Sequence, residues 1–175
     1  MDTALLWQKI KNGDKTAFNQ LFQWFYADLK AYGVKIAGQE ADAKEAIQLL
    51  FAKIWEKRNT LNEVTSVKSY LLKAYRRTLI DFLQAEKKQQ FLIENQPTFT
   101  IAPSELTIFH QEKKAQATQL ARLLNQLPPK QKEIIYLRFY NRLSYLEIAE
   151  IVDLNYQSVR NYGVKAIKFL RKNWQ

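Results

Sequence analysis

Apolar residues along this chain recur at intervals of three and four, not two, and Gly and Pro are sparse, so the pattern predicts helix almost throughout. In 16–36, TAFNQLFQWFYADLKAYGVKI, the residues Phe18, Leu21, Phe22, Phe25, Leu29 and Tyr32 fall on one side of a helix. A second helix, Asp42 to Arg58, carries two apolar stripes. Ala46, Leu50, Ile54 and the aliphatic stem of Lys57 form one, and Ile47, Phe51 and Trp55 form the other. Two stripes need two partners: two neighbours inside the domain, or one neighbour and another protein. After the polar, turn-rich TLNEVTSV comes a third helix, KSYLLKAYRRTLIDFLQAEKKQ. Periodicity then stops in QPTFTIAPSE, where Pro97 and Pro103 lie, and it resumes before Pro128 and Pro129, which suit the first turn of a helix. The expected fold is all-α, with two small helical domains at 1–88 and 110–175 joined by a linker at 89–109.

The segment Leu143 to Leu170, LSYLEIAEIVDLNYQSVRNYGVKAIKFL, reads position by position as a helix-turn-helix. Ser144 is placed to cap a helix with Glu147 three residues on, and Ile148, Val152 and Leu154 supply apolar contacts between two short helices. Ala149 falls where those helices approach too closely for a larger side chain. Asp153 falls at the turn, where a left-handed backbone is needed and Asp is tolerated less well than Gly. A second helix starts at Asn155, with Val159, Ala166, Ile167 and Leu170 inward and Gln157, Ser158, Arg160, Asn161, Val164 and Lys165 outward. The outward set is the candidate for reading base edges in a major groove. Gly163 stands where an apolar core residue is expected and costs about 1 kcal/mol relative to Ala in a helix; Tyr162 is the neighbour available to cover the gap.

Charge supports this reading. Lys and Arg number 27 against 17 acids, for a net +10, and from Asn155 to the end the charged residues are all basic: Arg160, Lys165, Lys168, Arg171 and Lys172. The stretch 89–109 carries only Glu94 and Glu105. A basic chain of this kind suits an acidic partner such as nucleic acid. In the third helix Lys68, Tyr70, Lys73, Tyr75, Arg76 and Arg77 mix cations with flat rings, as single-stranded nucleic acid requires, although Tyr70 and Tyr75 are equally suited to a core.

The composition also excludes. With no cysteine there are no disulfides, thiolate nucleophiles or Cys-based metal sites. No run approaches the ~18 apolar residues of a membrane helix, and MDTALLWQKIKNGD lacks a signal-peptide core, so a cytoplasmic protein is expected. His110 is the single histidine, beside the linker, and no Gly-rich phosphate loop, metal-ligand cluster or activated nucleophile is visible. No catalytic residue, cofactor, metal or small-molecule substrate is expected.

Taken in order, GD-x-x-AF-x-x-L at Gly13 to Leu21, DA-x-x-x-x-Q-x-x-F-x-x-x-W at Asp42 to Trp55, the basic helix ending in Ile80-Asp81, a linker, Leu127-Pro128 and the helix-turn-helix resemble the extracytoplasmic-function (ECF) sigma factors of bacterial RNA polymerase. The resemblance covers almost the whole chain. It implies a region 2-like first domain for the polymerase clamp and the melted −10 promoter element, and a region 4-like last domain for the −35 element. It implies polymerase contacts by Asp42, Gln48, Phe51 and Trp55. It also implies capture of an extruded base by the loop Thr60 to Lys68, including Ser66 and Lys68, and a single strand lined by Tyr70, Lys73, Arg76 and Arg77. Arg160, Asn161, Val164 and Lys165 are then major-groove residues, with Gln157 and Ser158 near the backbone. The chain departs from the pattern at Leu49, where an acid usually follows the glutamine, at Arg77, where the family has Asn, and in QAEKKQQ, a thinned basic run. YQSVRN is similar to versions of the Bacteroidetes lineage.

The partners implied are core RNA polymerase, promoter DNA both duplex and single-stranded, and an anti-sigma factor, often membrane-bound. The alternative reading is a helix-turn-helix regulator that binds duplex operators as a dimer.

Overall fold

The computed structural model describes residues 2–86, 99–103 and 114–174. Among them are eight α-helices and no strand. The chain divides into two compact units, Met1–Asn95 and Gln96–Gln175. Of the linker expected at 89–109 only 99–103 is described, and those five residues belong to the second unit. His110 lies outside the described residues.

The first unit opens with a helix that periodicity alone did not reveal, α1 (Thr3–Lys11). Nine residues are too short for a repeating stripe, but Asp2 caps it by accepting from the Leu5 N–H at 3.0 Å, and Leu6, Trp7 and Ile10 are buried. α2 (Lys15–Ala37) begins at Asp14, whose carboxylate accepts from the Thr16 and Ala17 N–H groups at 2.8 and 3.0 Å. It ends at Gly38 in the left-handed conformation, φ 75°. α3 (Glu40–Glu56) carries Glu40 and Asp42 in its first turn, where acids suit the helix dipole. A 3₁₀ turn (Arg58–Thr60) and a short loop lead to α4 (Val67–Glu86).

Most of both apolar stripes of α3 is covered inside this unit, with Trp55 at the end of the second only half-buried. Ala46, Leu50 and Ile54 are buried, and so are Ile47 and Phe51 of the second stripe, the latter only 3 % exposed. The Phe51 ring meets Phe18 and Phe22 of α2 edge-on, with centroids 5.7 and 5.0 Å apart. Neighbouring helices thus cover Ile47 and Phe51 of the second stripe, while Trp55 keeps part of its ring exposed. Tyr75 is likewise a core aromatic and not a nucleic-acid platform: it is fully buried, and its hydroxyl donates to the Ala43 carbonyl at 2.9 Å. It reaches that carbonyl across Gly33, where any β-carbon would collide with the hydroxyl.

In the second unit α5 (Lys114–Asn125) precedes α6 (Pro129–Ile135), whose first turn holds Pro129 and whose end widens into a π-helical turn at Tyr136–Tyr140. α7 (Tyr145–Val152) and α8 (Tyr156–Asn173) follow. Phe99, 1 % exposed, packs edge-on against Tyr136, with ring centroids 5.4 Å apart. The Asn125 side-chain amide grips Ile101 twice, accepting from its N–H at 3.0 Å and donating to its carbonyl at 2.9 Å.

The helix-turn-helix forms as its sequence requires. Ser144 and Glu147 make a full capping box. Asp153 takes the left-handed turn at φ 55°, ψ 52°, and Asn155 caps α8 by accepting from the Ser158 N–H at 2.7 Å. Ile148 and Ala149 of α7 and Val159 and Ala166 of α8 are buried. Gly163 is covered by Tyr145 of α7 and not by Tyr162: a β-carbon there would stand 2.7 Å from the Tyr145 hydroxyl.

Candidate nucleic-acid interface

α8 presents one continuous polar face. Gln157, Arg160, Asn161, Val164 and Lys165 are exposed and Ser158 is half-buried. Gln157 donates from Nε2 to Asn161 Oδ1 at 3.1 Å, so two amides one turn apart are held in register. Capping by Asn155 fixes the first turn, and burial of Val159, Gly163 and Ala166 fixes the rotation of the helix. The row thereby has a rigid base, as base-edge recognition demands. Tyr156, 48 % exposed at the start of α8, and Leu146, 62 % exposed on α7, flank it. Neither was singled out in the sequence, since an isolated exposed ring or apolar side chain carries no periodic signal.

In the first unit the basic helix α4 divides its candidates among different surroundings. Tyr70 and Arg77 line a groove of about 360 Å³ between α3 and α4, together with Lys53 of α3, Lys57 just beyond its end, Leu61 and Asp81. The Tyr70 ring is half-buried and meets Trp7 edge-on at 5.0 Å, and burial raises its hydroxyl pKa above the ordinary value. Lys73 is exposed and Arg76 half-buried, and neither lines that groove. Lys68 is half-buried, its ammonium 3.6 Å from Asp28 of α2. Ser66 caps α4, its hydroxyl oxygen accepting from the Ser69 N–H at 3.2 Å. Sequence reading did not assign either lysine to nucleic acid, placing only the aliphatic stem of Lys57 in an apolar stripe, because neither lies on the helix of the basic run and only folding brings them beside Tyr70 and Arg77.

Comparison with known proteins draws the two halves together. A family profile described as Sigma-70 region 2 matches residues 21–89, and one described as Sigma-70, region 4 matches 117–170. The RNA polymerase sigma factor SigV of Bacillus subtilis is 31% identical over 130 residues, 74% of this chain and 74% of that protein. The chain belongs to the ECF sigma factors of the sigma-70 family. The ECF RNA polymerase sigma factor RpoE of Cereibacter sphaeroides is 24% identical over 164 residues, 91% of this sigma factor and 87% of its own length. The fold is shared with CnrH, solved with the cytosolic domain of CnrY, at TM-score 0.62 and 18% identity over 98% of this chain and 96% of that one. It is shared also with RpoE of Bartonella quintana, solved with the anti-sigma factor NepR, at TM-score 0.63 and 18% identity over 89% and 94% of the two chains.

Of the four α3 residues that the sequence pointed toward polymerase, the sigma factor exposes Gln48 and leaves Trp55 partly exposed, while Asp42 is half-buried in the first turn. Trp55 lies against Phe18 on one side, and the Arg58 guanidinium sits 4.7 Å from its ring centroid. Phe51 is enclosed by Phe18 and Phe22, so its ring shapes this face from within. Leu49, the departure from the family's acid, is half-buried. Acid–base pairs on α3 brace the helix: Lys44 reaches Glu40 at 2.7 Å and Lys30 of α2 reaches it at 3.5 Å, which together hold the Glu40 carboxyl below its usual value.

Among the described residues no group of His, Cys, Asp and Glu converges as a metal site would, and no helix is long and apolar enough to cross a membrane.

Proposed function

We propose that this sigma factor divides promoter recognition between its two units. In transcription initiation it joins core RNA polymerase, recognises the −35 and −10 elements and helps to melt the DNA. α8 enters the major groove of the −35 element, with Arg160, Asn161, Val164 and Lys165 against base edges and Gln157 and Ser158 near the backbone. In the first unit the segment Thr60 to Lys68, which is the loop before α4 together with that helix's first residues, receives an extruded base of the −10 element. Tyr70 and Arg77, joined by Lys53 and Lys57, hold the adjoining single strand, with Lys73 and Arg76 contributing charge from the neighbouring faces of α4. The outer face of α3, with Asp42, Gln48 and Trp55, docks on the polymerase clamp, and Phe51 supports that face from beneath.

The observation that carries this reading is the face of α8: a capped helix, locked in rotation by a buried seam, whose exposed charges are all basic. Each well-formed base contact discriminates by about 1–3 kcal/mol, so two of them separate cognate from other promoters by orders of magnitude. The chain supplies binding energy and positioning; polymerase performs the chemistry. It works in the cytoplasm, where core polymerase and DNA are found. An anti-sigma partner is inferred from the solved neighbours, one of which is held by NepR.

The test is to mix the protein with sigma-free core polymerase and fragmented genomic DNA and to sequence the 5′ ends of the transcripts. Discrete start sites that share two upstream elements, and that vanish without the protein, are expected. An absence of start sites, with a palindromic duplex footprint instead, would replace this reading with a dimeric regulator.

A further inference from the structure

The loop between the 3₁₀ turn and α4 does not stand alone. α1 grips its middle with three neighbouring side chains. The Trp7 indole N–H donates to the Asn62 carbonyl at 3.0 Å, while Gln8 Nε2 and Lys11 Nζ donate to the two carboxylate oxygens of Glu63. Positions 7, 8 and 11 lie on one face of a helix, so a single rigid surface holds two consecutive loop residues.

That surface is firmly seated. Trp7 is 1 % exposed, and Leu6 and Ile10 are buried beside it. The same Trp7 ring meets Tyr70, which lines the groove between α3 and α4. One side chain therefore touches both the loop backbone and the aromatic residue of the groove. Glu63 itself is an exposed residue, so its bonds with Lys11 and Gln8 contribute little to global stability. Their consequence is local, because a short loop held at its middle has far fewer conformations than one held only at its ends.

We propose that α1 is a positioning element for promoter-strand recognition, in which Trp7, Gln8 and Lys11 hold Asn62 and Glu63 where the loop must stand to receive the extruded base. This rests on the assignment of the Thr60 to Lys68 segment to base capture. Neither Trp7 nor Lys11 touches DNA; each acts through the loop.

The test uses the full chain on core polymerase, with transcription from a promoter library randomised at the −10 element and, separately, at the −35 element. Lys11→Glu and Trp7→Phe are each expected to lower base discrimination at −10 by about threefold or more while leaving −35 preferences unchanged, the scale of losing one partly exposed contact. The exchange Lys11→Glu with Glu63→Lys should restore discrimination, which general damage to the fold would not allow. Unchanged −10 preferences in both single variants would overturn the role of α1. So would a loss that the exchange fails to restore and that accompanies a fall in melting temperature. A photoreactive benzoylphenylalanine at Thr65 separates the two levels. Crosslinking to the melted −10 strand with preferences unmoved by the α1 variants sinks the positioning role alone. No crosslink in otherwise wild-type protein overturns base capture by the loop and the positioning role with it.

Discussion

The ring of Tyr145 occupies the space that a side chain at position 163 would need: a β-carbon on Gly163 would lie 2.7 Å from its hydroxyl and 2.9 and 3.0 Å from two ring carbons. Tyr145 is itself pinned, with the Arg138 guanidinium 5.1 Å from its ring centroid. The glycine that weakens α8 as an isolated helix is therefore what allows α7 and α8 to cross closely.

Gly163→Ala sets two effects against each other. Ala favours the helix by about 1 kcal/mol, but displacing a packed ring costs about 1–3 kcal/mol, so a net loss of stability is expected. Chemical denaturation should show it, together with weaker −35 binding. Replacing Tyr145 by Leu in the Gly163→Ala background should recover part of the loss, because the atoms in conflict are gone.

The first unit repeats the arrangement with Gly33 and Tyr75. Tyr75→Phe removes the hydroxyl that donates to the Ala43 carbonyl, a loss of about 0.5–1.5 kcal/mol because that carbonyl lies within α3 and keeps its helical bond. Gly33→Ala should destabilise the wild type more than it destabilises the Tyr75→Phe variant. Equal losses in a double-mutant cycle would mean that the hydroxyl and the glycine are not coupled.

Arg160→Ala is expected to relax base preference at one position of the −35 element by about 1–3 kcal/mol, with non-cognate promoters less affected. Binding to a panel of single-base promoter variants reads this directly. A uniform loss across the panel, with a shallower salt dependence, would assign Arg160 to a phosphate.

Glu40 gives a pH signature. Lys44 and then Lys30 hold its carboxyl below the ordinary value of 4.5. A carboxyl whose pKa is lowered by folding contributes stability above its unfolded pKa and loses that contribution as pH falls through the folded value. The melting temperature of Glu40→Gln should thus fall below that of wild type near neutral pH, and the gap should close in acid. A gap that persists at acid pH would show that the ion pairs are not its source.

Much of this protein was legible without coordinates. Periodicity at three and four determined the helices α2, α3, α4 and α8, and the capping box, small residue and turn at Ser144, Ala149 and Asp153 determined the helix-turn-helix, because local backbone physics acts over a few residues. Tertiary structure decided what local pattern leaves open. It covered Phe51 of the second stripe of α3 with Phe18 and Phe22, sent Tyr75 into the core, and filled the space over Gly163 with a ring from 18 positions earlier in the chain. It also brought Lys53 and Lys57 beside Tyr70 and Arg77, and α1 against Glu63. Each of these depends on residues far apart in sequence, where no spacing rule operates and only the packing of whole helices sets which side chains meet.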